Sequence, residues 1–113
     1  MSDKPVRLLV AAQNELRQIT AWYRDEAGEA LALRWTDAVS SALRHIRANP
    51  RTGSSRYALG LNLRGLRFWP ISGFPYLIFY IERETQIDVW RVLHTQRDIP
   101  ARMAGVENDS SEN

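Results

Sequence analysis

The sequence predicts an α+β domain with the element order β-α-α-β-β-β. A β-prone run, VRLLV, occupies residues 6–10, and apolar residues then recur at helical spacing over residues 12–46. Three β-prone runs joined by short turn signals follow between residues 63 and 93. We therefore expect an antiparallel helix hairpin packed on one face of a small, mainly antiparallel sheet, with the other face exposed or held for a partner.

The length and composition favour one globular domain. The chain has 113 residues, of which 44% are hydrophobic and 25% charged, a balance typical of globular proteins. No apolar run approaches the ~18 residues that a membrane span needs, and the N-terminal apolar stretch is too short for a signal peptide. Without cysteine, disulfides and cysteine metal sites are excluded. We expect a cytoplasmic domain over residues 1–103 and a disordered acidic tail over residues 104–113.

Two helices are predicted from their apolar stripes. The first stripe recurs every three or four residues through Ala12, Leu16, Ile19 and Tyr23, and Gly28 is expected to end that helix. The second helix should run from 29 to 48, because Asn49-Pro50 disfavours its continuation. Trp22 and Trp35 are expected in the core. His45, on the second helix, is expected at the surface.

The C-terminal half is predicted to be a meander of three strands. Residues 50–62 contain proline, glycine and serine and are interpreted as a loop. The strands are expected at Leu63–Ile71, Tyr76–Ile81 and Ile87–Leu93, with tight turns between them. Arg91 is separated from Ile87, Val89 and Leu93 by even numbers of residues, so in a regular strand it should share their apolar face. A buried arginine there would require a carboxylate or carbonyl partner.

Basic residues are concentrated in the same half. Residues 44–102 carry ten basic and four acidic side chains, although the whole chain has a net charge of only +2. Fourteen of the fifteen basic residues are arginine, which binds carboxylates and phosphates in a fixed, forked geometry. This pattern fits an acidic protein partner or nucleic acid, and equally a set of solvated surface charges.

Five short motifs, in order, resemble the ParE branch of the RelE/ParE toxin superfamily. They cover roughly residues 5–103. The most specific is the ending Arg91-Val92-Leu93-His94 followed by Arg97-Asp98. The others are Ala12–Leu16 with Ile19, Asn49-Pro50 with Gly53, Leu66-Arg67, and Leu77–Tyr80.

The resemblance implies the RelE/ParE toxin fold and a toxin of a bacterial type II toxin–antitoxin system. In such pairs the C-terminal segment of the antitoxin wraps the toxin, and its N-terminal part binds operator DNA, so this chain would meet DNA only indirectly. ParE-like toxins poison DNA gyrase, whereas RelE-like toxins cut mRNA on the ribosome. A third possibility is a relative that binds an antitoxin but is not toxic.

The residues favour gyrase over RNA cleavage. RelE-type cleavage needs acid–base groups and cations around a phosphate. The nuclease branch has an arginine where this chain has Leu77, and lysines on the preceding strand, where this chain has only Arg64 and Arg67. Arginine is a poor proton shuttle because it stays charged. Arg97, which matches a basic residue of that branch, and His94 are the remaining weak catalytic candidates.

The candidate antitoxin or target contacts are polar and aromatic residues of the C-terminal half. For Arg91 we consider two readings, an internal ion pair with Asp98 as the candidate partner, and a contact to the antitoxin. The two histidines lie far apart in sequence and no cysteine is present, so neither a metal nor another cofactor is expected. The full set of candidate contacts is Arg64, Arg67, Trp69, Tyr80, Arg91, His94, Arg97 and Asp98.

Overall fold

The computed structural model describes residues 4–96 and has the predicted order of elements. The predicted tail at 104–113 lies outside the described residues. A short 3₁₀ turn, Pro50–Thr52, follows the second helix. The remaining elements are β1 (Val6–Leu8), α1 (Val10–Ala27), α2 (Glu29–Ala48), β2 (Leu66–Pro70), β3 (Tyr76–Glu82) and β4 (Ile87–His94).

The two helices form the predicted antiparallel hairpin. Gly28 separates them and has a φ of 93°, a backbone conformation that glycine adopts without steric cost. The indole N–H of Trp35 donates to Thr20 Oγ1 over 3.0 Å. Trp35 and Thr20 lie at nearly equal distances in sequence from Gly28, so the chain folds back on itself there.

The sheet is mixed, with the strand order β1-β4-β3-β2. β1 runs parallel to β4, and the two other pairs are antiparallel, which confirms a mainly antiparallel sheet. β2 begins at Leu66 rather than at Leu63 as predicted. The reason is the backbone before it, because Asn62 and Gly65 have φ values of 53° and 82°, which no strand residue adopts.

One face of the sheet packs against the helices and forms what we call the helix-side core. Trp35 is completely buried there, as predicted. Trp22 was expected in the same core, but it is 57% exposed. Tyr23 takes the inward position instead, and its ring meets that of Trp22 edge to face, with 5.3 Å between the centroids. The buried members of this core include Ala12, Tyr23, Trp35, Val39, Ile46, Ile78, Tyr80, Ile87, Val89 and Val92.

The opposite face of the sheet is not open, which corrects the sequence-based expectation. The segment 57–63 folds over it, and Tyr57, Leu61 and Leu63 pack on the strand residues beneath. Two backbone bonds shape this segment, from Ala58 N to Ser55 O and from Leu63 N to Ala58 O. We call this layer the loop-side cluster; its fully buried members are Leu66, Phe79, Ile81 and Leu93.

A β-bulge in β4 changes which face its residues occupy. Phe79 pairs with Arg91, but the next residue of β3, Tyr80, pairs with Val89, so Trp90 is an extra residue. The alternation therefore shifts by one, and Leu93 belongs to the loop-side cluster while Val89 belongs to the helix-side core. The prediction that Arg91 shares one face with Ile87 and Val89 is wrong for this reason.

Candidate functional site

The predicted contact residues fall into two groups within the described part of the chain. Arg67, Trp69 and Tyr80 lie near the turn that follows α2. Arg91 and His94 lie on the last part of β4. Arg64 stands apart in the exposed turn before β2. Arg97 and Asp98 lie outside the described residues, so their contacts stay predictions.

Tyr80 anchors the turn at residues 50–53 from inside the protein. Its side chain is completely buried, and its hydroxyl donates to Pro50 O over 2.7 Å. Burial raises the pKa of Tyr80 above its ordinary value of 10.0. A side chain at Gly53 would collide with the Tyr80 hydroxyl and would approach Phe68 O to 2.9 Å. The Asn49-Pro50 and Gly53 motif therefore marks a close backbone approach, and a partner could reach Tyr80 only if this turn moved.

Arg67 and Trp69 hold the same turn from β2. The Arg67 guanidinium donates to Gly53 O over 2.8 Å. The Trp69 ring stacks on His45, with 3.7 Å between the ring centroids. The His45 Nε2 lies 2.8 Å from Thr52 Oγ1, so the imidazole ties α2 to the turn. His45, expected at the surface, is half-buried. Its contact with Trp69 was not predicted, because the two residues lie 24 positions apart.

Arg91 forms an internal ion pair with Glu15 of α1. The Arg91 Nε donates to Glu15 Oε2 over 2.7 Å, and Glu15 Oε1 accepts the Val92 backbone N–H over 2.8 Å. The two side chains are only 11% and 15% exposed. The structure thus supplies a carboxylate partner for Arg91 within the described chain. Sequence reasoning missed Glu15, although it belongs to the first-helix motif, because 76 positions separate the two residues.

His94 borders a groove between α1 and the ends of β3 and β4. Its Nδ1 accepts the Gln96 backbone N–H over 3.0 Å, so in the neutral ring the proton lies on Nε2. The ring meets Tyr76 edge to face at 5.1 Å. Trp22 and Ile19 line the same groove. The His94 ring therefore lies next to an aromatic, partly apolar surface.

The described part of the groove beside His94 does not bring a paired acid and base together. Among the described residues, the one carboxylate that lines the adjoining cavity is Glu15, which binds Arg91 and accepts the Val92 N–H. Over residues 4–96, no group of three or more histidine or acidic residues is placed to hold a metal ion. Neither described helix is long and apolar enough to cross a membrane. Within residues 4–96, the side chains around His94 form a polar and aromatic surface.

Comparison with known proteins points to one family. The family model of the ParE toxin of the type II toxin–antitoxin system parDE matches residues 6–99. A search of curated protein sequences finds no match. A chain of the chromosomal ParDE toxin–antitoxin system from P. aeruginosa has a similar fold, with a TM-score of 0.69 at 15% identity. That match covers 82% of this chain and 97% of the other. The chain belongs to the ParE toxin family of type II toxin–antitoxin systems.

Proposed function

We propose that this protein is a toxin that is neutralised by a cognate antitoxin and that inhibits DNA gyrase by binding to it. The single observation that carries the choice of target is Leu77. At this position the nuclease branch of the superfamily has an arginine, and here the side chain packs against the loop-side cluster. An apolar side chain can neither stabilise a phosphate nor move a proton, so the chemistry of RNA cleavage lacks one of its groups.

The surroundings of Leu77 support the same conclusion. It pairs with Pro70 on one side and with Leu93 on the other, so its cross-strand neighbours are apolar as well. The segment over this face contributes Tyr57 and Leu61, which pack on the sheet. A scissile phosphate would need a polar, cation-lined pocket, whereas this surface is a small hydrophobic core.

A supercoiling assay tests the proposed target. Purified toxin is titrated into gyrase, ATP and relaxed plasmid, and the topoisomers are separated by electrophoresis. We expect less supercoiled product and, after treatment with detergent and protease, linear DNA from trapped cleavage complexes. Relaxation by a type I topoisomerase should be unaffected and serves as the control. If supercoiling proceeds normally and no cleaved DNA accumulates, gyrase is not the target.

A translating cell extract distinguishes the endonuclease alternative. If the chain acts on gyrase, a reporter mRNA should keep its full length when toxin is added. Cleaved transcripts that disappear with the Arg97→Ala variant would instead identify a ribosome-dependent endonuclease. Expression of the chain alone separates both activities from a relative that is not toxic, because the proposal requires growth arrest.

The antitoxin partnership is tested with the product of the neighbouring gene. Co-expression should restore growth, and the two proteins should elute as one complex from a sizing column. The excess of arginine over residues 44–102 favours an acidic segment in the partner. Persistent arrest with no complex would remove that gene product as the antitoxin.

A further inference from the structure

The segment that covers the loop side of the sheet carries an exposed apolar side chain. Leu59 is 94% exposed, whereas Tyr57 and Leu61 on either side of it pack on the sheet. A single exposed leucine is ordinary on a protein surface. Here, however, five of the seven residues over 57–63 are hydrophobic, which is unusual because surface connections are mostly polar. We call residues 57–63 the loop-side cover and Leu59 its tip.

Backbone hydrogen bonds give the loop-side cover a defined shape. Leu59 O accepts the Asn62 N–H over 3.1 Å, and Ala58 O accepts the Leu63 N–H over 2.9 Å. Asn62 has a φ of 53°, in the left-handed region that asparagine adopts more readily than most residues. The chain therefore reverses in a hydrogen-bonded turn, and a partner meets the Leu59 side chain in a set position.

Two arginines border the loop-side cover. Arg56 precedes it, and the guanidinium lies over the Tyr57 ring, 5.3 Å from the centroid. Arg64 follows it, and both arginines are exposed. Neither takes part in an ion pair with another described residue. The sequence from 38 to 81 has six arginines and no acidic residue, so no carboxylate close in sequence offsets the two charges.

These features define the chemistry of a complementary surface. The side chain of Leu59 loses contact with water only if it enters an apolar pocket. The guanidinium groups on either side bind carboxylates in a forked geometry. An apolar pocket with carboxylates at its rim has the usual arrangement of a protein interface, in which a hydrophobic centre is surrounded by polar groups.

We propose that the loop-side cover is the surface through which this toxin docks on gyrase. Leu59 enters an apolar pocket of the enzyme, and Arg56 and Arg64 pair with carboxylates at the rim of that pocket. This inference rests on the proposed function for the identity of the partner. It adds the part of the toxin that makes the contact and the kind of surface that receives it.

Nucleic acid and a second copy of this chain fit the loop-side cover less well. Phosphates would pair with the arginines, but the sugar–phosphate backbone offers no apolar pocket for Leu59. Two covers that met about a two-fold axis would bring Arg56 and Arg64 of both copies close together, and like charges repel. The combination of an apolar tip with flanking cations therefore favours an acidic protein surface.

Truncation of the tip tests the contact in the supercoiling assay. Leu59→Ser should raise the toxin concentration that gives half inhibition of gyrase about tenfold, because an apolar contact is lost. Leu33→Ser is the matched control, since it truncates an exposed leucine on α2, and it should stay within about twofold of the wild type. Leu59→Met keeps the apolar volume and should stay within about threefold. Circular dichroism checks that all three variants are folded.

Charge reversal beside the tip tests the rim. Arg56→Glu with Arg64→Glu should weaken inhibition about tenfold, since carboxylates on the partner would then be repelled. Arg17→Glu with Arg34→Glu changes the net charge equally at exposed helix positions and should stay within about twofold. If the first pair does not fold, Arg56→Gln with Arg64→Gln removes the charges without reversal and should weaken inhibition about threefold.

A photoreactive benzoylphenylalanine at position 59 locates the contact directly. The labelled toxin is irradiated in the presence of gyrase and DNA, and a second protein carries the same group at position 33. We expect a covalent adduct with a gyrase subunit from position 59 and none from position 33. An adduct with DNA alone would identify nucleic acid as the ligand, and an adduct between two toxin chains would identify a second copy. Either outcome would overturn the proposal.

The remaining outcomes separate this inference from the proposed function. If the wild type inhibits gyrase and Leu59→Ser inhibits it equally well, the loop-side cover is not the docking surface, and the proposed target stands. An equal loss with Leu33→Ser would also overturn the inference, because the effect would not be specific to the tip. If the wild type does not inhibit gyrase, the proposed target is wrong. Growth arrest that is relieved by Leu59→Ser, but not by Leu33→Ser, would then still support the cover as the surface that meets the true target.

Discussion

The two faces of the sheet are covered in different ways. On the helix side, two regular helices press a network of aromatic rings onto the strands, and Trp35 contacts Tyr23, Phe74 and Tyr76 at centroid distances of 5.2–5.4 Å. On the loop side, an irregular segment contributes Tyr57 above Phe68 and Phe79 at 5.8 and 6.0 Å.

This difference concerns stability as much as shape. The helix-side core binds elements that are distant in sequence, so opening it means unfolding the domain. The loop-side cover is short, and Leu59 in its middle is 94% exposed. Such segments open locally at a small fraction of the global free energy of unfolding. The helix side should therefore set the stability of the domain, and the loop side should adapt to a partner.

The largest expected effect is truncation at the centre of the helix side. Trp35→Ala removes a fully buried indole and the hydrogen bond to Thr20, and should lower the free energy of unfolding by about 3–5 kcal/mol. Urea denaturation followed by circular dichroism measures the loss. A loss below about 1 kcal/mol would mean that this core does not dominate the stability of the domain.

The next effect is expected where the two faces meet, at Gly53. Gly53→Ala forces a methyl group against the Tyr80 hydroxyl and Phe68 O, and should cost about 1–3 kcal/mol. Tyr80→Phe removes the hydroxyl, so part of the cost should be recovered when the two changes are combined. Thermal unfolding of the single and double variants gives this coupling. If the losses in the free energy of unfolding of the two single variants simply add up in the double variant, Gly53 and the Tyr80 hydroxyl are not in close contact in solution.

Smaller effects are expected in the loop-side cover. Tyr57→Ala removes a half-buried ring and should cost about 1 kcal/mol while accelerating hydrogen exchange over residues 54–65. Leu59→Ser is the matched control, because that side chain is almost fully exposed and its loss should change stability by less than about 0.5 kcal/mol. A loss at Tyr57 as large as that at Trp35 would contradict the contrast between the faces.

The smallest effect at neutral pH comes from the ionisation of two tyrosines of the helix-side core, because their hydroxyls lose a proton only at alkaline pH. Burial raises the pKa of both Tyr23 and Tyr80 in the folded protein, and for Tyr23 the neighbouring Tyr76 adds to the effect. The stability that these groups contribute is fully present below their ordinary pKa and is lost as pH rises through the folded value. The free energy of unfolding should therefore fall above pH 10, and less steeply in Tyr23→Phe and Tyr80→Phe. An unchanged slope would mean that these hydroxyls have the same pKa in the folded and in the unfolded protein.

The helix side was predictable because periodic patterns specify it. The stripe through Ala12, Leu16 and Tyr23 predicted the first helix, and the stops at Gly28 and Asn49-Pro50 placed the ends of both helices to within a residue. Each of these signals acts over a few positions, so local reasoning is enough to read them.

The loop side and much of the candidate site were not predictable in the same way. The residues of the loop-side cover that pack on the sheet do not recur at a regular spacing. The bulge at Trp90 moves Arg91 to the other face of β4, and the alternation of residues in the sequence does not reveal it. The bonds from Arg91 to Glu15 and from Tyr80 to Pro50 join residues 76 and 30 positions apart. Such pairings depend on strand register, which emerges only when the sheet has formed.

Growth arrest with two simultaneous readouts tests the central claim most directly. The chain is induced in cells without an antitoxin, and plasmid supercoiling and full-length mRNA are measured in the same samples as growth stops. The account predicts that supercoiling is lost while transcripts stay intact. Transcripts cut at the moment of arrest, with normally supercoiled plasmid, would contradict it.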